Sequence, residues 1–195
     1  MGRLNVNGIE HELQGGAVER LSTVLRSDLG LLGVHVSCAE GECGACTVLV
    51  DGEPMTACLM LARQAEGRAV VTIEGLGGLA ALHPIQEAFV EEQSFQCAFC
   101  TPGFVMATKA FLERNPDPTP EQAAAGVSGN ICRCGAYPYI VQGVLTAAAK
   151  LRGADTTGRP PSGVIPAPAD QSPTEVWPCT SSSSRSHRRA RRRRG

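Results

Sequence analysis

The sequence is poor in aromatic residues and has no long apolar run, and both shortages narrow the class of protein. Phe, Trp and Tyr make up 4% of the 195 residues, so a core must be built mainly from Ala, Val, Leu and Ile. No apolar run approaches the ~20 residues of a membrane-spanning helix, and we predict no membrane span. The N-terminus lacks the apolar segment of a secretory signal and a twin-arginine motif, so we expect a cytoplasmic protein.

Charge is nearly balanced over the chain but unevenly distributed along it. The formal net charge is −1, yet acidic residues predominate in residues 1–153 and arginine in residues 154–195. That last segment is rich in Pro, Ser and Arg without apolar periodicity, and we predict a disordered tail. Basic tails can bind nucleic acid or anionic surfaces. The same composition is typical of a tail that is simply exposed to solvent. We therefore expect no nucleic-acid partner.

Residues 1–78 contain short β-type runs and two hairpin signals. The dipeptides Asn7-Gly8 and Asp51-Gly52 are typical of two-residue hairpin turns. One helix is predicted over residues 18–28, because Leu21, Val24 and Leu25 share a face there. The order of hairpin, helix, Cys-rich loop, hairpin and strand predicts an α+β domain over residues 1–78.

Residues 79–153 have helical periodicity, and we predict four helices that form a small bundle. The first covers residues 85–93. The second begins at Thr101-Pro102, with Thr101 as N-cap and proline at the first helical position. The third begins with a capping box at Thr119, and the last runs from Pro138 to a stop at Gly153. A linker rich in Gly and Ala is predicted over residues 74–83.

Eight of the nine cysteines form two groups of four, while Cys179 stands alone in the tail. In a cytoplasmic chain such groups indicate metal ligands rather than disulfides. The first quartet has the spacing C-x4-C-x2-C-x11-C: Cys38, Cys43, Cys46 and Cys58. This spacing opens as the plant-type 2Fe–2S run does, and it fits a β-grasp ferredoxin layout. The alternative is a structural zinc site, which also takes four cysteines but favours paired knuckles.

The second quartet has the spacing C-x2-C-x31-C-x-C: Cys97, Cys100, Cys132 and Cys134. Each of its two halves precedes a predicted helix, so two helix N-termini would direct N–H groups towards one anionic cluster. We predict a second 2Fe–2S site, although the spacing alone leaves zinc open. His35, three residues before Cys38, is interpreted as a structural or surface residue, because four cysteines complete the first site without it.

Three segments resemble one known family, the iron–sulfur subunits of the molybdenum hydroxylases. These enzymes include xanthine dehydrogenases, aldehyde oxidoreductases and carbon monoxide dehydrogenases. The segments are CAEGECGACTVLVDG at 38–52, QCAFCTPGF at 96–104 and GNICRCGAYPYI at 129–140. The resemblance extends from about residue 3 to residue 152, includes all eight cysteines of the two quartets, and ends before the tail.

The resemblance implies an α+β fold: an N-terminal β-grasp 2Fe–2S domain over residues 1–78, a four-helix-bundle 2Fe–2S domain over residues 79–153, and the tail at 154–195. It implies an electron-transfer subunit whose partners are a molybdopterin-binding large subunit and an FAD-binding medium subunit or another electron acceptor. It also implies that Gln96 and Cys134 contact the pterin. The sequence itself shows no residue set suited to substrate chemistry and no glycine-rich dinucleotide-binding fingerprint.

Two other functions remain compatible with the sequence. The first is a free-standing two-cluster ferredoxin that carries electrons between enzymes. The second is a zinc-stapled interaction module.

Overall fold

A computed structural model describes residues 2–13, 18–78 and 81–153 of the protein. The predicted tail at 154–195 lies outside the described residues, as do residues 79 and 80 of the predicted linker. Within the described residues, no helix is both long enough and apolar enough to cross a membrane.

The N-terminal half is built on a mixed five-stranded sheet. Its strands, in chain order, are β1 (Arg3–Val6), β2 (Ile9–Glu12), β3 (Thr47–Val50), β4 (Glu53–Thr56) and β5 (Ala69–Val71), and their order across the sheet is β2-β1-β5-β3-β4. β5 runs parallel to β1 and antiparallel to β3, so it joins the two hairpins into one sheet.

Both predicted hairpin turns are confirmed. Asn7 and Gly8 have φ values of 53° and 81°, and Asp51 and Gly52 have 52° and 83°. Two successive positive φ values match the right-handed twist of paired strands, which is why these dipeptides occur there. The inner face of the sheet supplies fully buried aliphatic residues to the first core, including Leu4, Val6, Val48, Val50 and Val70.

The helix predicted over residues 18–28 is present and ends as predicted at Asp28, but it begins three residues later, at Leu21. The α-helix α1 (Leu21–Thr23) continues directly as a π-helical turn over Val24–Asp28. It starts late because the Leu21 and Ser22 amides donate to the carbonyls of Met60 and Ala57, at 2.8 and 3.0 Å. This pairing holds the preceding residue extended, so tertiary contacts override the helical pattern.

The C-terminal half contains four helices within the described residues: α2 (Pro84–Glu91), α3 (Thr101–Arg114), α4 (Pro120–Gly126) and α5 (Tyr137–Leu151). They enclose a second core whose largest buried members are Ile85, Phe89, Phe104 and Ile140. The predicted capping box at Thr119 is confirmed, since its side chain accepts from the Gln122 amide. The N-cap prediction at Thr101 is wrong, because Cys100 is the N-cap and Thr101 is already helical.

The two cores meet where α3 crosses β3. Leu49 of β3 packs against Met106 and Ala110 of α3 in a small third cluster. An ion pair between Arg114 and Glu53 lies at the end of this contact. The contact places the loop before β3 next to the start of α3, and both segments carry cysteines.

Candidate metal centres

The first cysteine quartet begins on a loop whose backbone turns inward. Ala39, Gly41 and Gly44 all have positive φ, between 57° and 78°. This conformation directs the Glu40 amide to the Cys38 sulfur at 3.4 Å. Hydrogen bonds from the backbone of Glu40 and then of Cys43 lower the pKa of the Cys38 thiol to about 7. The loop therefore favours a thiolate at its exposed end.

The other half of the first quartet is buried. Cys46 lies just before β3 and Cys58 just after β4, and the Cys58 amide donates to the Cys46 sulfur at 3.4 Å. Burial raises the pKa of Cys46 to about 12. A buried thiol of this kind loses its proton when a metal ion replaces it.

The second quartet also contains both exposed and buried cysteines. Cys97 is exposed and its thiol lies next to that of Cys134, while Cys100 is buried and its thiol lies next to that of Cys132. The backbone N–H of Phe99 and then Cys134 lower the pKa of Cys97, whereas burial raises the pKa of Cys100 to about 12. The predicted helix ends are present: Cys100 caps α3, and Cys134 lies three residues before α5.

Within each quartet the thiols lie next to one another in pairs, an arrangement that suits a cluster with two metal ions. The pairs are Cys38 with Cys43, Cys46 with Cys58, Cys97 with Cys134, and Cys100 with Cys132. Mononuclear zinc needs four ligands around one point. Two pairs per quartet instead fit a cluster of two irons, with one pair for each iron.

The residues implied to contact the pterin lie together. The Gln96 side-chain amide donates to the Cys134 carbonyl oxygen at 3.4 Å, with Gln96 exposed and Cys134 partly buried. The structure thus brings both residues to the exposed end of the second quartet.

Sequence reasoning missed the residues that join the two quartets. Asn130 is buried, and its side-chain amide donates to the Gly44 carbonyl at 2.8 Å. His35 stacks on Phe99 with ring centroids 4.7 Å apart. A signal for the first contact was available, because Asn130 belongs to the motif GNICRC and a buried amide needs a partner. His35 carried no comparable signal.

Comparisons with known proteins match the chain to iron–sulfur domains and subunits. Residues 8–95 match the family described as "2Fe-2S iron-sulfur cluster binding domain", and residues 72–145 match "[2Fe-2S] binding domain". The chain is 44% identical over 134 residues to the nicotinate dehydrogenase small FeS subunit of Eubacterium barkeri, covering 69% of this chain and 85% of that subunit. It is 44% identical over 148 residues to the nicotine 6-hydroxylase small subunit of Paenarthrobacter nicotinovorans, covering 76% and 89%.

Solved structures show the same fold. The aldehyde oxidoreductase from Desulfovibrio desulfuricans superposes with a TM-score of 0.77 at 42% identity, covering 80% of this chain. This chain spans only 17% of that longer polypeptide. Quinoline 2-oxidoreductase from Pseudomonas putida superposes with a TM-score of 0.72 at 36% identity, covering 78% of this chain and 96% of the matched chain.

The fold and the paired cysteines define an α+β iron–sulfur protein with two 2Fe–2S domains. With relatives of this similarity and coverage, the chain belongs to the family of small iron–sulfur subunits of the molybdenum hydroxylases. It is therefore an electron-transfer subunit of an oxidoreductase rather than a free-standing ferredoxin.

Proposed function

We propose that this subunit relays electrons from a molybdopterin centre on a large partner subunit to FAD on a medium subunit or to another acceptor. In this proposal Cys97, Cys100, Cys132 and Cys134 hold the first cluster to be reduced, and Cys38, Cys43, Cys46 and Cys58 hold the second. The clusters supply one-electron redox chemistry, and the protein supplies their position, hydrogen bonds and burial. The domain bounds 1–78 and 79–153, the β-grasp and four-helix-bundle arrangements, and a cytoplasmic location belong to the same proposal.

One observation carries the proposal: the two cysteine loops are hydrogen-bonded to each other. The Ile131 amide donates to the Cys43 carbonyl oxygen at 3.0 Å. Cys43 belongs to one quartet, and Ile131 directly precedes Cys132 of the other. The route between two proposed ligands therefore follows covalent bonds and crosses a single hydrogen bond.

The order of the relay is supported by what surrounds the second quartet. Cys97 is exposed, and four large apolar or aromatic side chains close in sequence to cysteines of this quartet are exposed by 42–50%: Phe99, Ile131, Tyr137 and Tyr139. Aromatic residues and depletion of charge are features of interface centres. We place the large subunit on this face, where Gln96 and Cys134 would contact its pterin.

The test is metal analysis of the complex purified without a tag on the tail. We expect about four iron and four inorganic sulfide per chain, a red-brown colour, and two distinct EPR signals after full reduction. The signals should differ because one quartet lies in a Gly-rich loop and the other at helix ends. A colourless zinc protein, or one signal that accounts for a single reduced cluster, would refute the proposal. A chain that purifies alone as a monomer would point to a free carrier.

Truncation after Gly153 is expected to leave iron content, assembly and turnover at moderate ionic strength unchanged. All eight cysteines of the quartets and both cores lie before this point. Any contribution of the Arg-rich segment should be electrostatic and should weaken with salt. Iron content and co-purification of the partners measure the outcome. Loss of either would mean that residues 154–195 take part in docking.

A further inference from the structure

The loop that carries Cys97 and Cys100 has little packing of its own. Cys97, Ala98 and Phe99 are all exposed, with 45% of Phe99 accessible. Ala98 has a φ of 60°, in the left-handed region that residues with a Cβ avoid. Such a conformation persists only where surrounding contacts hold it.

His35, from the N-terminal half of the chain, supplies such contacts. Its Nδ1 lies 2.7 Å from the Phe99 carbonyl oxygen, and its ring stacks on the Phe99 ring at an interplanar angle of 23°. Since a carbonyl oxygen can only accept, Nδ1 carries the proton in this hydrogen bond. One side chain therefore binds both the backbone and the ring of Phe99.

His35 is itself anchored firmly. The preceding residue, Val34, is buried in the first core with 2% exposure. The Arg26 guanidinium donates to the carbonyl oxygens of Leu32 and Val34, each at 2.8 Å. The backbone that carries His35 is thus fixed by the N-terminal half.

The contact matters because Phe99 is a hydrogen-bond donor to the second quartet. Cys97, Ala98 and Phe99 repeat the turn of Cys38, Ala39 and Glu40, since Ala98 and Ala39 have φ values of 60° and 57°. In the first loop this turn directs the Glu40 N–H to the Cys38 sulfur at 3.4 Å, so the same turn directs the Phe99 N–H towards the Cys97 sulfur. Hydrogen bonds to cluster sulfurs stabilise the more negative, reduced state and so raise the reduction potential.

We propose that His35 is a positioning residue for the second cluster: it clamps Phe99 from the opposite half of the chain and thereby fixes the backbone donor to Cys97. The inference rests on the proposed function, because it assigns the redox consequence to a cluster at Cys97. The geometric part, the clamp on the loop, is independent of any cluster.

The experiment compares His35→Ala, His35→Phe and His35→Asn in the full-length chain within its complex. His35→Phe keeps a ring to stack on Phe99 but has no donor for its carbonyl, while His35→Asn restores a donor near the position of Nδ1. His11→Ala, on β2, is the matched control, since no contact joins His11 to either cysteine loop in the described structure. Amide hydrogen exchange reports on the clamp, and potentiometric EPR reports on each cluster separately.

We expect exchange at Phe99 and Thr101 to accelerate about five- to thirtyfold in His35→Ala, as for the loss of one or two kcal/mol of local stability. The potential of the second cluster should fall while that of the first stays unchanged. His35→Asn should restore both quantities, and His35→Phe should restore neither fully.

Unchanged exchange in both His35→Ala and His35→Phe, or an equal effect in His11→Ala, would overturn the inference. If His35→Ala does not fold, the contrast between the Phe and Asn variants decides. Absence of iron from the wild-type complex would instead refute the proposed function.

Discussion

Cys43→Ser and Cys100→Ser are expected to block electron flow at different steps, although each removes a single sulfur. A Ser oxygen is a harder and poorer ligand for these iron sites than a thiolate. Each variant should lose about half of the iron and one of the two EPR signals. Cys43→Ser should leave reduction of the molybdenum centre by substrate intact but stop electron exit to the distal acceptor. Cys100→Ser should interrupt the path at its start and loosen the contact with the large subunit.

The structure shows that each of the two substitutions removes a cysteine ligand without removing a backbone hydrogen bond or a helix cap. The Cys43 carbonyl oxygen accepts the hydrogen bond from the Ile131 amide, and a serine retains this carbonyl. Cys43→Ser therefore removes the ligand but keeps the contact between the two loops. Cys100 is the N-cap of α3 without a side-chain cap hydrogen bond, so the serine does not remove a cap. Cys179→Ser is the matched control and should keep all iron. Single-turnover reduction and EPR measure the outcome, and identical defects in the two variants would contradict the assigned order.

Gly103→Ala is expected to destabilise the protein by about 2 kcal/mol, despite the better helix propensity of alanine. A Cβ at this position of α3 would lie 2.3 Å from the Gly44 carbonyl oxygen and 3.2 Å from the Ala45 Cα. Both atoms belong to the backbone and cannot rotate away. Overpacking of this kind costs about 1–3 kcal/mol, while alanine returns about 1 kcal/mol within a helix. The upper part of the first range applies here because the clash is with backbone.

The same substitution should weaken the contact between the two cysteine loops. Gly44 accepts a hydrogen bond from Asn130, and displacing Gly44 from α3 would also displace Asn130 and the adjoining Ile131. We therefore expect a lower midpoint in chemical denaturation together with a weaker magnetic interaction between the reduced clusters. Gly129→Ala is the control, because a Cβ there meets nothing within 4 Å and Gly129 has no positive φ. Equal stability of the two variants would refute the close approach of α3 to the first loop.

The sequence was sufficient to predict hairpin turns and helix caps, because the residues that form them lie within a few positions of one another. Asn7-Gly8 and Asp51-Gly52 specify hairpin turns because both residues must adopt positive φ, and Thr119 caps its helix through a side chain three residues away. The local cysteine spacings C-x4-C-x2-C, C-x2-C and C-x-C likewise indicated metal ligands, and the resemblance of the three cysteine segments to one family then predicted two 2Fe–2S domains.

Tertiary structure alone decided what depends on segments far apart in the chain. The first helix begins at Leu21 because of pairing with residues 57–60, and no pattern within residues 18–28 contains that information. The pairing of thiols, the Ile131–Cys43 hydrogen bond and the clamp of His35 on Phe99 all join residues of different elements. The sequence determines which residues can hold clusters, because ligand chemistry is local. The distance and orientation between the clusters follow from α3 packing on β3, which only the assembled cores determine.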